Sequence, residues 1–486
     1  MFKCGLRRAS ALSVSVVVLI GIGHRASAQS VNINELVFSD SIVNSVSLGK
    51  QSIASGVNSS AFGTQSQANT NSSAFGANSK ANGANSLAQG VQSSAGGNNA
   101  SALGNLSSAS GVNSISIGAQ SAASGDNSTA VGNQSAAIGV NSGAYGILAT
   151  AGFDNSTALG GLSSAAGPNA TAIGVQSQAT GANATAVALQ SQASGNNSSA
   201  FGVLSRATAA DSAAFGNQSN AAGRISAAFG ALSEAAAESS TAIGGASRAT
   251  GLNSTAIGSA TAASGSSSFA GGYQARATGE SAIAIGRDAA ATGTNAIAIG
   301  PGAVATGSVA VGVNATASNG GAAFGDGATA TGTNSTALGP NASALPDNSV
   351  AIGSSSVASE ANTVSVGSPG NARRITNVAA GVAPGDAVNM QQFQGGIAAL
   401  TTRIDDVNKE ARRGIAAVAA MAPVVMPSAR GKTTVSASTG FYQGEAGLGI
   451  GFAHRLDVTM PLVIFGSYGN AAGREHVSRA GVAFEF

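Results

Sequence analysis

Between residues 49 and 367 small and bulky positions alternate with a period of two, which belongs to strands, and glycine closes each alternating run. Gly76, Gly90, Gly104, Gly118, Gly132, Gly146, Gly160 and Gly174 fall 14 residues apart, and the register continues from Gly202 to Gly300 with Ala188 as the single substitution. Each unit holds two half-units of the form S-x-A-x-G-x-x, as in Ser254, Ala256, Gly258 and then Thr261, Ala263, Gly265. The seven-residue spacing does not make a coiled coil, whose apolar positions alternate at three and four. Two glycines per unit would also cost a helix about 1 kcal/mol each relative to alanine. The repeat therefore predicts a stack with one rung per unit rather than a globular domain with a pocket.

The alternation assigns faces. Ser, Ala and Gly share one side of the first strand, as at Ala158, Ala172 and Ala186, while the residue before the glycine is bulky, as at Phe201, Phe215, Phe229, Ile243 and Ile257. A coil of 14 residues encloses room only for small side chains, so the small face points inward. The bulky face becomes a long apolar stripe, the mark of an association surface, and self-association is the economical cover for it. Asn85, Asn99, Asn113, Asn127, Asn141, Asn155, Asn169, Asn183 and Asn197 share one turn register. Asparagine tolerates the left-handed conformation, and stacked amides can form a ladder. Arg206, Arg248 and Arg276, four residues after their marker glycines, are expected at solvated corners. From Gly49 to Gly367 there are 24 markers, counting Ala188 and the shortened units ending at Gly312 and Gly325. At a strand spacing of ~4.8 Å this is a rod on the order of 110 Å long.

After Gly367 the pattern changes. Ile397, Ile404, Ala411 and Val418 recur every seven residues, as do Leu400, Val407, Gly414 and Met421, with Arg403, Asp405, Asp406, Lys409 and Glu410 between them. This is an a/d seam, and Ile397, Leu400, Ile404 and Val407 are its expected core. It is short, and Ala411 and Gly414 weaken it, so something else must bring the helices together. From Lys432 the chain reads as four segments of about ten residues, the length of a membrane-spanning strand. Leu448, Ile450 and Phe452 alternate with glycines, and Val482, Phe484 and Phe486 alternate with Gly481, Ala483 and Glu485. These six apolar residues are expected to face lipid. Four strands cannot close a barrel, and open edges are not tolerated in lipid, so the chain must pool strands with its copies. Three copies give twelve, with inward glycines leaving room for helices in the lumen.

The first residues carry Lys3, Arg7 and Arg8, an apolar run from Ala11 to Ile22, and Ala26-Ser27-Ala28, the order of a secretory signal cut after Ala28. The only cysteine, Cys4, lies inside it, which leaves no thiol for disulfides or metal in the mature chain. The net charge of +2 becomes −2 once Lys3, Arg7, Arg8 and Arg25 are removed. Residues 30–367 carry seven Lys or Arg against twelve Asp or Glu, a balance of −5 that argues against a nucleic-acid partner. His24 leaves with the signal, and His454 and His476 fall in the membrane segment. No paired-carboxylate, metal-ligating or cofactor-binding constellation recurs, so no catalytic residue, metal or cofactor is expected. Calcium-binding repeats lack their GGxGxD signature here, and collagen is excluded because glycine is not every third residue. Two alternatives stay open: a β-helix polysaccharide hydrolase, and an ice- or surface-binding solenoid displaying Thr129, Thr157, Thr171 and Thr185.

The repeats, the segment Ala372 to Phe393 (ARRITNVAAGVAPGDAVNMQQF) and the last four strands together resemble the trimeric autotransporter adhesins, the Yersinia adhesin A-like family of type V secretion. Asn348 to Ser356 (NSVAIGSSS) fits that family's NSVAIGxxS head motif. The resemblance implies a mainly β chain with a signal peptide at 1–28, a left-handed parallel β-roll head at 29–367, and a neck at 368–393. A coiled-coil stalk and lumen helix at 394–427 and a membrane anchor at 428–486 would follow. It further implies a homotrimer with a twelve-stranded outer-membrane barrel, four strands per chain, that exports its own head after Sec-type secretion. The terminal Phe486 would signal to the barrel assembly machinery, and the head would stand on the cell surface. The implied function is attachment to extracellular matrix, host cells, surfaces or sibling cells. Asn348, Ser349, Val350, Ala351, Ile352, Gly353 and Ser356 are the adhesive motif the resemblance suggests; read from the repeat alone, they are one more rung. The stalk is short, which would seat the head close to the membrane.

Overall fold

The computed structural model describes residues 44–485. The proposed signal segment, with Cys4 and His24, and the terminal Phe486 lie outside the described residues. The chain divides into two compact units, one ending at Ala372 and the other starting at Arg373.

The first unit is a mainly β, parallel solenoid. Nearly every rung contributes one three-residue strand to a first sheet and, after a turn, a strand of two residues, in two rungs three, to a second. The first sheet has 24 strands, from Val46–Leu48 to Val364–Ser365, one for each marker counted in the sequence. Register is set by the repeat: Ala158 pairs with Ala172, and Ala172 with Ala186. Where a unit is one residue short the register follows, so that Ser60 lies beside Ser73.

Packing explains the composition. Ala256 and Ala263 are fully buried between the two sheets, as are their counterparts in other rungs. Most buried serines spend their hydroxyls on the turn: Ser93 Oγ donates to the Gly90 carbonyl and Ser107 Oγ to the Gly104 carbonyl, each at 2.9 Å, while those of Ser128 and Ser254 are among the few left without a partner. A hydroxyl satisfied this way carries little of the penalty of burial. The marker glycine is required for two reasons, visible at Gly258. Its φ is +127°, and a Cβ there would sit 2.7 Å from the Gly272 carbonyl oxygen of the next rung. The asparagine turns behave as their residue type predicts. Asn85 to Asn197 hold φ between 56° and 58°, and each side-chain amide donates one rung on, as Asn99 does to Asn113 at 2.9 Å, the last of them to Asp211 at 3.0 Å.

The second unit contains one long helix, Met390–Ala420, and a four-stranded antiparallel sheet. Asn389 starts the helix with a reciprocal cap: its Oδ1 accepts from the Gln392 amide at 2.9 Å, and Gln392 Oε1 accepts from the Asn389 amide at 3.3 Å. The strands are Thr433–Tyr442, Glu445–Arg455, Leu462–Ala471 and Glu475–Phe484, paired in that order. The first and last therefore each have one unpaired edge. Among the described residues no helix is long and apolar enough to cross a membrane.

Candidate functional site

Three surfaces hold chemistry that a single chain leaves unfinished: the outer face of the first head sheet, the seam of the helix, and the outer face of the terminal strands. On the first, side chains flanking each buried alanine point outward. Phe201, Phe215 and Phe229 form a stacked column with ring centroids 4.8 and 5.1 Å apart. Ile243, Ile257 and Ile285 continue the line, each about two-fifths exposed. Thr157, Thr171 and Thr185 run in register beside this column, on the same face. One rung exchanges its bulk: the ring of Phe269 lies over Gly271, whereas Tyr145 keeps the usual position and lies over Gly143. The apolar row is kept while its source position moves.

The second head sheet shows an opposite character. Its outward row passes through Gln178, Gln192, Arg206, Asn220, Glu234 and Arg248 on adjacent strands. Arg206, Arg248 and Arg276 were expected at corners. They stand instead at the outward position of the second strand, exposed, because each lies between two buried residues such as Ser205 and Ala207. Arg248 reaches Glu234 one rung back at 3.0 Å. The acidic residues are spent differently: Asp126, Asp154 and Asp347 each accept from a backbone amide of the preceding rung at 2.8 Å. A second ladder runs beside the asparagines, with Gln65, Gln134 and Gln190 bonded to the glutamine one rung before at 2.8–3.0 Å. Its signal was a Gln recurring two residues after the marker.

The Asn348–Ser356 motif forms a rung. Asn348 is in a left-handed turn and donates to Asn362 at 2.8 Å; Ser349 and Ser356 are buried with hydroxyls bonded to the carbonyls of Pro346 and Ile352. Ala351 is fully buried, Gly353 turns the chain at φ +104°, and on the strand Val350 and Ile352 point outward, while Asn348, Ser354 and Ser355 are exposed in the turns.

On the helix, Ile397, Leu400, Ile404 and Val407 are each about half exposed, an apolar line without a partner in its own chain. In the neck before it, the amide of Ala383 and then that of Val382 donate to the Asp386 carboxylate and hold its pKa below the usual value. In the sheet, Leu448, Ile450, Phe452, Val482 and Phe484 lie on the exposed side. The opposite side packs on the helix, where Gly449 is decisive: a Cβ there would fall 1.9 Å from the Ala420 carbonyl oxygen. Arg413 Nε donates to Glu445 Oε2 at 3.1 Å across the same interface, a pair the sequence did not disclose. Among the described residues no cluster of three His, Cys, Asp or Glu side chains could hold a metal ion.

The model for the head domain repeat of Yersinia adhesin YadA matches residues 43–66, 68–88, 81–107, 109–135, 165–187, 193–219, 249–275, 277–303, 319–342 and 347–368. The model for the coiled stalk of trimeric autotransporter adhesins matches residues 374–416. The chain belongs to the trimeric autotransporter adhesins. Autotransporter adhesin NhhA of Neisseria meningitidis serogroup B (strain ATCC BAA-335 / MC58) is 40% identical over 100 residues, which is 21% of this adhesin and 17% of that relative. The chain thus aligns with about one sixth of the relative's length. The crystal structure of the collagen-binding domain of Yersinia adhesin YadA is 35% identical over 30% of this chain and 84% of that one, with a TM-score of 0.29. As a trimeric autotransporter adhesin the chain comes from a family of outer-membrane-anchored surface proteins that assemble as homotrimers. Its four antiparallel strands are consistent with one third of a trimeric barrel.

Proposed function

We propose that this chain is a surface adhesin that threads its own head through a barrel built from three copies and then holds that head outside the cell. The observation that carries this reading is that one polypeptide joins a self-sufficient rod to a sheet with two unpaired edges. Three copies supply twelve strands, which can close, and the Ala416–Ala420 stretch of each helix fits against inward glycines as a plug. The barrel would be placed in the outer membrane by the barrel assembly machinery, with Leu448, Ile450, Phe452, Val482 and Phe484 toward lipid. Ile397, Leu400, Ile404 and Val407 would form the core of the stalk.

The rod then presents three copies of each outward row to matrix, host cells, surfaces or sibling bacteria. Binding on such a surface gains from multivalency without a strong single site. Within it, Asn348 to Ser356 offers Val350 and Ile352 on its strand and Asn348, Ser354 and Ser355 in its turns. The test is to display the full chain and a version lacking residues 44–367 on an outer membrane and compare attachment to matrix proteins, cells and sibling cells. Deletion abolishes attachment and spares anchoring on this reading. Attachment that survives deletion moves the function to the neck or the anchor.

A further inference from the structure

Two charged groups on the lumen side of the anchor lack a partner within their own chain. The Nε of Arg412 is buried and makes no hydrogen bond. Glu475 takes part in none of the ion pairs among the described residues. On its own sheet Glu445 is already held by Arg413, at 3.1 Å.

The packing of the helix says where Arg412 leans. Backbone atoms of Ala420, Ala419 and Ala416 lie 2.4, 2.5 and 2.8 Å from where a Cβ of Gly440 would stand, on the first strand, and Ala416 also comes within 2.6 Å of that of Gly447, on the second, whereas the Ala417 carbonyl oxygen lies 2.0 Å from that of Gly469, on the third. Residues three, four and seven apart share a helix face. Arg412 therefore lies above Ala416 and Ala419, toward the free edge of the first strand, and Arg413 lies above Ala417. The contact of Arg413 with Glu445 places this turn of the helix, and with it the neighbouring Arg412, at the end of the sheet that carries the two hairpin turns, 443–444 and 472–474.

Glu475 is at that same end. It opens the last strand opposite the buried Ala471, and Val477, two residues on, packs against Ala416, Ala417 and Ala471. The alternation of a strand puts Glu475 on the lumen side with Val477. In a closed barrel the free edge of the last strand must pair with the free edge of a neighbour's first strand. That pairing carries the carboxylate to the edge toward which the neighbour's Arg412 is directed. We propose that Arg412 forms an ion pair with the partner's Glu475, so that each helix is tied to its own wall through Arg413 and Glu445 and to the adjacent wall through Arg412. This rests on the three-copy barrel and adds to it the contact that fixes the plug across the seam. Removing one member leaves the other charge buried without a partner, which costs more than losing both.

The test uses the full chain in the outer membrane, with Cys4→Ser in every variant so that introduced thiols are the only ones. Arg412→Cys and Glu475→Cys are made singly and together and treated with a short bifunctional thiol crosslinker. The double variant gives a covalent trimer on a denaturing gel, and neither single variant does. Crosslinking confined to monomers, or absent from assembled double-variant trimers, overturns the pairing. In parallel, Arg412→Glu and Glu475→Arg each lower the temperature at which the detergent-solubilised trimer dissociates, and combining them restores it. Intact trimers with no restoration overturn the ion pair alone, whereas a monomeric unmodified chain overturns the three-copy barrel itself.

Discussion

The head and the anchor are both β structure, yet one satisfies its backbone within a single chain and the other cannot. In the head each rung lies on the last, so the ladder bonds run along the rod and only its two ends are open. In the anchor four strands leave two long free edges, and the sheet depends on copies of itself. The difference shows in the side chains. Head interiors are alanine and serine, fully enclosed by one chain, while the anchor sets glycine against helix backbone and turns its large apolar residues outward. Stability in the head should therefore be local and additive, rung by rung, whereas in the anchor it should be collective.

The largest effect that would test this contrast is at Gly449. Gly449→Leu puts a side chain where the Ala420 carbonyl lies and displaces the helix from the wall. The expected result is loss of the heat-resistant trimer, more than the 1–3 kcal/mol typical of overpacking a core, because every copy is affected at once. A gel-stable trimer with normal surface display would show that the lumen has room to spare. In the head, Ala256→Leu is expected to cost about 1–3 kcal/mol and to open only the rungs near it. Hydrogen exchange on the purified head would check this: protection lost along the whole rod would contradict local stability. Between these cases lies the apolar row. Val350→Ser with Ile352→Ser should weaken head trimerisation before it alters any binding, measured by sedimentation beside an attachment assay. Binding that vanishes while the trimer stays intact would make the outward motif a contact rather than a packing surface.

How much of this was legible in the sequence follows from the same contrast. The head was readable almost to the residue, because 14-residue periodicity makes one rung's geometry the geometry of all: the marker glycines, the buried alanines and the asparagine ladder each recur. The misplacement of Arg206, Arg248 and Arg276 came from treating charge as a sign of a corner, when the alternation with Ser205 and Ala207 already placed the residue on a strand. In the anchor the strands and their outward residues could be read from alternation, but Arg413 with Glu445 could not. Those residues are 32 apart, and nothing periodic links them. The role of Gly449 was visible only as a small residue; the backbone atom it must admit was not.

Smaller effects probe the turns. Ala188 already occupies a marker position at φ +105°, where an L side chain is strained. Ala188→Gly should raise the head's stability by up to about 1 kcal/mol, the strain relieved being partly offset by the greater freedom of glycine in the unfolded chain. A fall in melting temperature would mean that the alanine methyl contributes packing that outweighs its strained backbone.

The smallest effect is expected in the neck, and it depends on pH. Donation from the amides of Ala383 and Val382 lowers the Asp386 pKa, so the turn before the helix is favoured at pH values above the ordinary carboxylate range and loses that support as acid titrates the folded carboxylate. Because the side chain is exposed, solvent screens the interaction and the change in overall stability should be slight. The amide proton resonances of Val382 and Ala383 report it directly: they should move upfield together on acidification, with a common midpoint below that of an ordinary aspartate. Asp386→Asn retains an acceptor oxygen and should abolish the titration while leaving the turn formed. A midpoint at or above the ordinary value would mean that the two amides do not hold the charged form, and the neck would then owe its shape to the Asn389 and Gln392 cap alone.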